Sequence, residues 1–203
     1  MLQQNLTIIL AVTEEGRYLQ SSVQAAITAC SACSMAADII VVSSASNASV
    51  TQEALLGYSD VRILLKDTES LAQLYNWGAK STSREAILFL REGILLQKDA
   101  LSAMLDALMI DEHVAAVGPF ANRTVYSWQY INAAYMEEAE RKTVSLWLRK
   151  HLTGAAEGLF LENFALLVRR SIFMQTGCFS EDFSGTGGED IDLSFRLRCA
   201  GYH

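Results

Sequence analysis

Short, apolar, β-branched runs alternate with amphipathic helical segments through the first half of the chain, and this alternation restricts the fold more than any other feature. Leu6-Thr-Ile-Ile-Leu-Ala-Val12 is too brief for a buried helix and is bounded by Glu14-Glu15-Gly16. Asp38–Ser43, Val61–Lys66, Glu85–Leu90 and Val114–Gly118 repeat the pattern. Between them, Tyr18–Ala32, Thr51–Tyr58, Glu69–Lys80 and Asp99–Ile110 place apolar residues at helical spacing. A strand that is apolar throughout needs cover on both faces, so the expected fold is α/β, a mostly parallel, Rossmann-like central sheet with helices on both sides. Right-handed crossovers then put a ligand crevice at the carboxyl ends of the strands. The residues just after Val12, Val42 and Leu90 are where chemistry is expected.

The second half changes character. Ser127–Leu152 combines Glu, Arg and Lys with Met136, Val144, Leu146, Trp147 and Leu148, and predicts one long helix or two. Leu161–Val168 reads as a strand, Arg170–Thr176 as a short helix and Phe179–Gly188 as a loop. Asp190–Ala200 is a final helix stopped by Gly201.

The charge balance excludes several classes. A formal net charge of −7, with no basic cluster longer than Arg169-Arg170, is the wrong sign for a nucleic-acid surface. No apolar run reaches the roughly 18 residues that span a bilayer, and Met1–Asn5 lacks a basic leader, so a cytoplasmic domain without a transmembrane segment is expected, with attachment through a partner left open. Cys30 and Cys33 form a C-x-x-C, but Cys178 and Cys199 supply no second pair at zinc-site spacing, and the four read as buried reduced thiols. No G-x-S-x-G accompanies His113 and His151, and no G-x-G-x-x-G follows the first strand. Trp128, Tyr130, Tyr135 and Trp147 could each stack on a sugar or simply fill a core.

The order of segments resembles the family 2 glycosyltransferases of GT-A fold over nearly the whole chain. The resemblance rests on Leu6–Val12, Asp38–Ser46, Asn76-Trp-Gly78, Ile87–Leu90, Val117-Gly-Pro119 and Leu166-Leu-Val-Arg-Arg170. Its most specific part is Gly177-Cys-Phe-Ser-Glu-Asp-Phe183, then Gly187-Gly-Glu-Asp-Ile-Asp-Leu193 and Arg196-Leu-Arg-Cys-Ala-Gly-Tyr202. Val117–Arg123 followed by a helical insert is similar to a bacterial branch acting on cell-surface polysaccharide or protein. The resemblance implies a single domain, with residues 1–120 binding a nucleotide-diphosphate sugar of UDP type and residues 121–203 facing a carbohydrate or protein acceptor. It further implies that the acceptor half is cut short after His203. Val12, Ser43, Ser44, Asn76, Arg91, Glu92, Gly187 and Gly188 fall on donor- or sugar-binding positions. The oligomeric state stays open, a homo-oligomer included.

The resemblance also implies that the acidic pair Glu189-Asp190 holds the general base of an inverting transfer, Asp190 above all. Gly185, Gly187 and Gly188 before it permit unusual backbone angles and close approach. The other reading makes Glu189, Asp190 and Asp192 simple helix-start charges, each stabilising by about 0.3–1 kcal/mol.

Two expected carboxylates are missing. The second strand ends Val42-Ser-Ser-Ala-Ser46 where relatives place an Asp for the donor, and the fourth ends Phe89-Leu90-Arg91-Glu92 where they carry a D-x-D that binds Mg²⁺ or Mn²⁺. Arg91 offers only donors and cannot ligate a metal, and Glu92 alone cannot build a hard-cation site. Three outcomes follow: Arg91 neutralises the diphosphate itself, Glu92 binds a metal weakly, or the domain is an inactive binding or assembly module.

Overall fold

The computed structural model describes residues 5–13, 15–132, 138–151, 154–183 and 187–203, with nothing beyond the backbone at position 138. Six strands form one sheet: β1 (Leu6–Ala11), β2 (Ala37–Ser44), β3 (Val61–Lys66), β4 (Ala86–Arg91), β5 (Ala116–Val117) and β6 (Ala165–Arg169). Their order is β3-β2-β1-β4-β6-β5. Strands β1 to β4 pair in parallel, while β6 runs antiparallel to both β4 and β5. The α/β, mostly parallel expectation holds.

The period-two alternation of β1 divides the core. Leu6, Ile8 and Leu10 point to one face, where they meet Leu19, Val23 and Ala26 of α1 (Leu19–Ala32) and Leu101, Met104 and Leu108 of α4 (Lys98–Leu108). Ile9 and Ala11 point to the other face, against α3 (Leu71–Lys80), α6 (Arg170–Gln175) and α7 (Glu189–Cys199). The second core centres on four rings. Tyr75–Phe89, Phe89–Phe173, Phe89–Phe179 and Tyr75–Phe179 lie 4.9 to 5.6 Å apart by centroid and tilt toward edge contacts, the arrangement that ring quadrupoles favour.

Several elements are shorter than their sequence pattern. The short helix after the second strand is α2 (Ala48–Ala54), three residues earlier than Thr51–Tyr58; it continues from a 3-10 turn over Ala45–Asn47, which Ser44 caps by accepting the Ser46 amide. Of the expected 127–152, helix α5 spans Glu138–His151, while residues 133–137, Tyr135 and Met136 among them, and Leu152 lie outside the described residues. Residues 127–132 are irregular instead: the buried side chain of Gln129 bonds Pro119 and Glu162, and tertiary satisfaction of that amide overrides helical propensity. The strand expected over 161–168 begins at Ala165, since residues 160–164 bend toward the centre described below. Of the cysteines, Cys30 and Cys178 are buried, Cys33 is half-buried and Cys199 is exposed; all four are free thiols, and burial pushes Cys30 up to about 11. The exposure of Cys199 and Cys33 corrects the expectation that all four are buried. Among the described residues no helix is long and apolar enough to cross a membrane.

Gly78 sets the distance between α3 and the sheet. A Cβ there would lie 2.7 Å from Ile9 Cγ2 and 3.1 Å from Val42 Cγ1, both on fully buried residues. Gly78→Ala gains about 1 kcal/mol of helix propensity but forces α3 off β1 and β2 at about 1–3 kcal/mol. The expected result is a lower urea midpoint; an unchanged or raised midpoint shows that α3 has room to move.

Candidate functional site

The carboxyl ends of β1, β2, β3 and β4 lie along one edge of the sheet, and the amino end of antiparallel β6 joins them there. Helix α7 begins beside that edge. It starts at Gly188, whose φ of 108° lies in the left-handed region, and a Cβ there would sit 3.3 Å from the Phe183 ring. Glycine is therefore required both by the backbone angle and by the contact. Gly187 precedes it with φ 72°, whereas Gly185 falls outside the described residues. The first two helical residues are then Glu189 and Asp190, both buried, at the positive end of the helix.

One side chain joins them to β4. Asn163, fully buried just before β6, accepts from Arg91 Nη2 at 2.5 Å and donates through Nδ2 to Glu189 Oε1 at 2.9 Å. Its backbone N–H points to Asp190 Oδ2 at 3.4 Å, and the Ile191 N–H meets Asp190 Oδ1 at 2.9 Å. The structure thus brings Arg91, Glu189 and Asp190 together through Asn163. Burial pushes the Asp190 carboxyl above its ordinary value, and the Glu189 charge adds to this, while the amides of Ile191 and Asn163 oppose it. Among the described residues, Arg91 Nε and the Tyr75 hydroxyl are buried polar atoms nearby without a hydrogen-bond partner. Burial raises the Tyr75 hydroxyl, with Arg91 opposing and Glu189 adding, so both charges reach it from the same centre.

The other expected site residues divide by what holds them. Glu92 is buried with its carboxylate turned back on the β1–α1 loop, accepting from the amides of Thr13 (3.1 Å), Gly16 (3.3 Å) and Tyr18 (2.6 Å). It shapes that loop. Val12 is buried among apolar side chains, and its N–H is spent on Val42, which leaves only its carbonyl for a ligand. Ser43 is buried against the Thr51 hydroxyl at 2.9 Å. Asn76 sits inside α3, whose N-cap is Ser70, and clasps the loop before α7: its Nδ2 donates to Phe179 O and Glu181 Oε1, and its Oδ1 accepts the Phe179 N–H. Asn76 therefore serves the centre by fixing residues 179–181.

Ser44 leads to a residue that sequence reasoning missed. Its hydroxyl donates to Glu69 Oε1 at 2.6 Å, and Ser46 donates to the same oxygen at 2.8 Å. These bonds hold the exposed Glu69 carboxylate below its ordinary range. A carboxylate thus stands at the β2–β3 tips, supplied from the β3–α3 connection rather than from the end of β2. The signal was present as one of two acids, Asp67 and Glu69, just before the Ser70 cap. Asn163 was equally legible as a single amide inside an apolar run.

The architecture is shared with known proteins. At 15% identity and a TM-score of 0.68, 98% of the chain superposes on 53% of the mannosyltransferase PcManGT from Pyrobaculum calidifontis, solved in complex with GDP-Man and Mn²⁺. It superposes on 41% of GalNAc-T7 with UDP, GalNAc and Mn²⁺ (13% identity, TM-score 0.73). It also superposes on 63% of the catalytic domain of Drosophila β1,4-galactosyltransferase 7 in complex with xylobiose (16% identity, TM-score 0.57). The chain therefore spans between two fifths and two thirds of each of these proteins, and identities this low show the fold alone. No curated protein matches it in sequence. The model of the family described as "Glycosyltransferase like family 2" aligns with residues 6–202, from the first strand to the turn after the last helix, and the chain belongs to that family.

Proposed function

We propose that the chain transfers a glycosyl group, with inversion, from a nucleotide-diphosphate sugar to the hydroxyl of a carbohydrate or protein acceptor. The observation that carries this reading is the Arg91–Asn163–Glu189/Asp190 network at the tips of β4 and β6. Asp190 takes the proton from the acceptor hydroxyl, whose oxygen attacks the anomeric carbon. The carbon–oxygen bond to the diphosphate breaks, and its electron pair leaves with the nucleotide. Arg91, whose Nε has no hydrogen-bond partner among the described residues, offers charge-assisted donors to the leaving diphosphate. Ser44 and Glu69 lie at the strand tips on the nucleoside side, where Glu69 Oε2 can accept a ribose hydroxyl or a base N–H.

Two of the structural neighbours hold Mn²⁺. The donor set at the corresponding strand end here does not suit such an ion: a guanidinium has no lone pair to offer, and the Glu92 carboxylate is turned onto three amides. Among the described residues no three His, Cys, Asp or Glu side chains gather as a ligand cluster. We infer that Arg91 supplies the positive charge at this point. Thermal denaturation with UDP and with GDP, first with Mn²⁺ and then with chelator, tests it. Stabilisation by one nucleotide is expected to persist in chelator. Arg91→Met is expected to weaken that binding by about ten- to a hundredfold, the worth of a hydrogen bond to a charged group. A strict requirement for Mn²⁺ overturns the role of Arg91. Indifference to every nucleotide favours a non-catalytic binding or assembly module.

Asp190→Asn is expected to lower kcat by about 10²–10⁴-fold. The wild-type rate should rise with pH on its acid limb, through a value above the ordinary 3.8, because burial raises this carboxyl. The same shift fixes a stability sign: a buried acid with a raised pKa costs stability as pH climbs from the ordinary value through the raised one. Asp190→Asn should therefore be no less stable than wild type at pH 7. Full activity in a folded Asp190→Asn protein removes Asp190 as the base.

A further inference from the structure

An aromatic pair that the transfer chemistry does not use is fastened beside the acidic centre. The Tyr126 and Trp128 rings stack with centroids 5.1 Å apart and planes within 9°. Trp128 Nε1 donates to Phe160 O at 2.8 Å, and the Thr124 hydroxyl and Val125 N–H both donate to Glu162 Oε2, at 2.5 and 3.0 Å. Gln129, buried, accepts the Glu162 N–H at 2.8 Å. Residues 124–129 are thereby joined to residues 160–162, and the next residue, Asn163, is the one that bonds Glu189 and Asp190. Tyr126 feels this directly: burial and the charges of Asp190, Glu162 and Glu189 push its hydroxyl up to about 12, with Arg91 opposing. Trp128 nevertheless stays 40% exposed.

We propose that the Tyr126–Trp128 stack is the acceptor subsite and that it takes a pyranose ring. The inference rests on Asp190 being the base. A pyranose presents a patch of C–H bonds on one face and hydroxyls around its rim. An indole held by its N–H and by a stacked neighbour provides a flat apolar surface that loses little side-chain entropy on binding. The carboxylates of Glu162, Glu189 and Asp190 close by accept hydroxyl donors. A lipid tail in the same place would desolvate those carboxylates without giving them partners, which disfavours it strongly. Sugar on the ring and base at the rim is the arrangement that brings one acceptor hydroxyl to Asp190.

The test is saturation-transfer NMR on the intact chain in the presence of UDP. The probes are methyl β-D-glucopyranoside, methyl β-D-galactopyranoside and methyl α-D-mannopyranoside, with a Ser/Thr-rich peptide as competitor class. Transfer to the ring C–H protons of at least one glycoside is expected. Trp128→Ala should reduce it about five- to tenfold, Trp128→Phe should restore part of it, and Trp147→Ala on α5 should leave it intact. The UDP signals recorded in the same samples report on the donor reading separately. If UDP saturates while no glycoside does, if the peptide alone saturates, or if folded Trp128→Ala binds glycoside like wild type, the pyranose subsite is overturned. If glycosides bind at Trp128 but UDP does not, the subsite stands and the donor reading fails.

Discussion

A single buried amide carries the geometry of this domain's reactive edge. Asn163 has every polar group but its carbonyl committed: its oxygen to Arg91, its amide nitrogen to Glu189 and its backbone N–H toward Asp190. These partners come from the end of β4 and the start of α7, elements that the sheet and the second core bring close but do not orient. Two carboxylates side by side in a buried setting repel each other, and burial penalises both. The arrangement is tolerable because Asn163 and the helix-start amides meet the acids while Arg91, through the same Asn, sets a positive charge opposite them. Asn76 does the comparable work one layer below, where it ties α3 to the loop that leads into α7.

The charges along this edge are not where the family resemblance led one to expect them. At the end of β4 the acid Glu92 organises the β1–α1 loop from inside, while the adjacent Arg91 faces the acidic centre. At the end of β2 two serines stand where an acid was expected, and they recruit one from the next connection, Glu69. Both changes keep a charge near the strand tips but alter its sign or its origin. In the proposed reaction the guanidinium of Arg91 meets the phosphate, since its planar fork matches paired oxygens.

The fold was legible in the sequence because strands apolar on both faces leave one economical solution, and Gly78 and Gly188 mark close approaches within it. The acidic pair at positions 189 and 190 was legible for a similar reason: glycines followed by carboxylates at a helix start describe a local geometry. What could not be read was set by contacts distant in sequence. Nothing around Glu92 announces that three amides of residues 13–18 will claim it. The carboxylate of Glu69 gains its position only when β2 and β3 lie side by side. Ser127–Asn132 opens a segment read as helical over 127–152, but the buried Gln129 holds it in an irregular path, and that path places Tyr126 and Trp128 beside the centre.

The same burial that loads the proposed base also limits it. Desolvation makes Asp190 a stronger proton acceptor than a surface aspartate, which favours general-base work near neutrality. It also makes the ionised acid a local liability, more so with Glu189 beside it. Stability alone would remove that charge; a chain that keeps it, supports it with amides and starts a helix there from a left-handed glycine is arranged around the carboxylate rather than merely accommodating it.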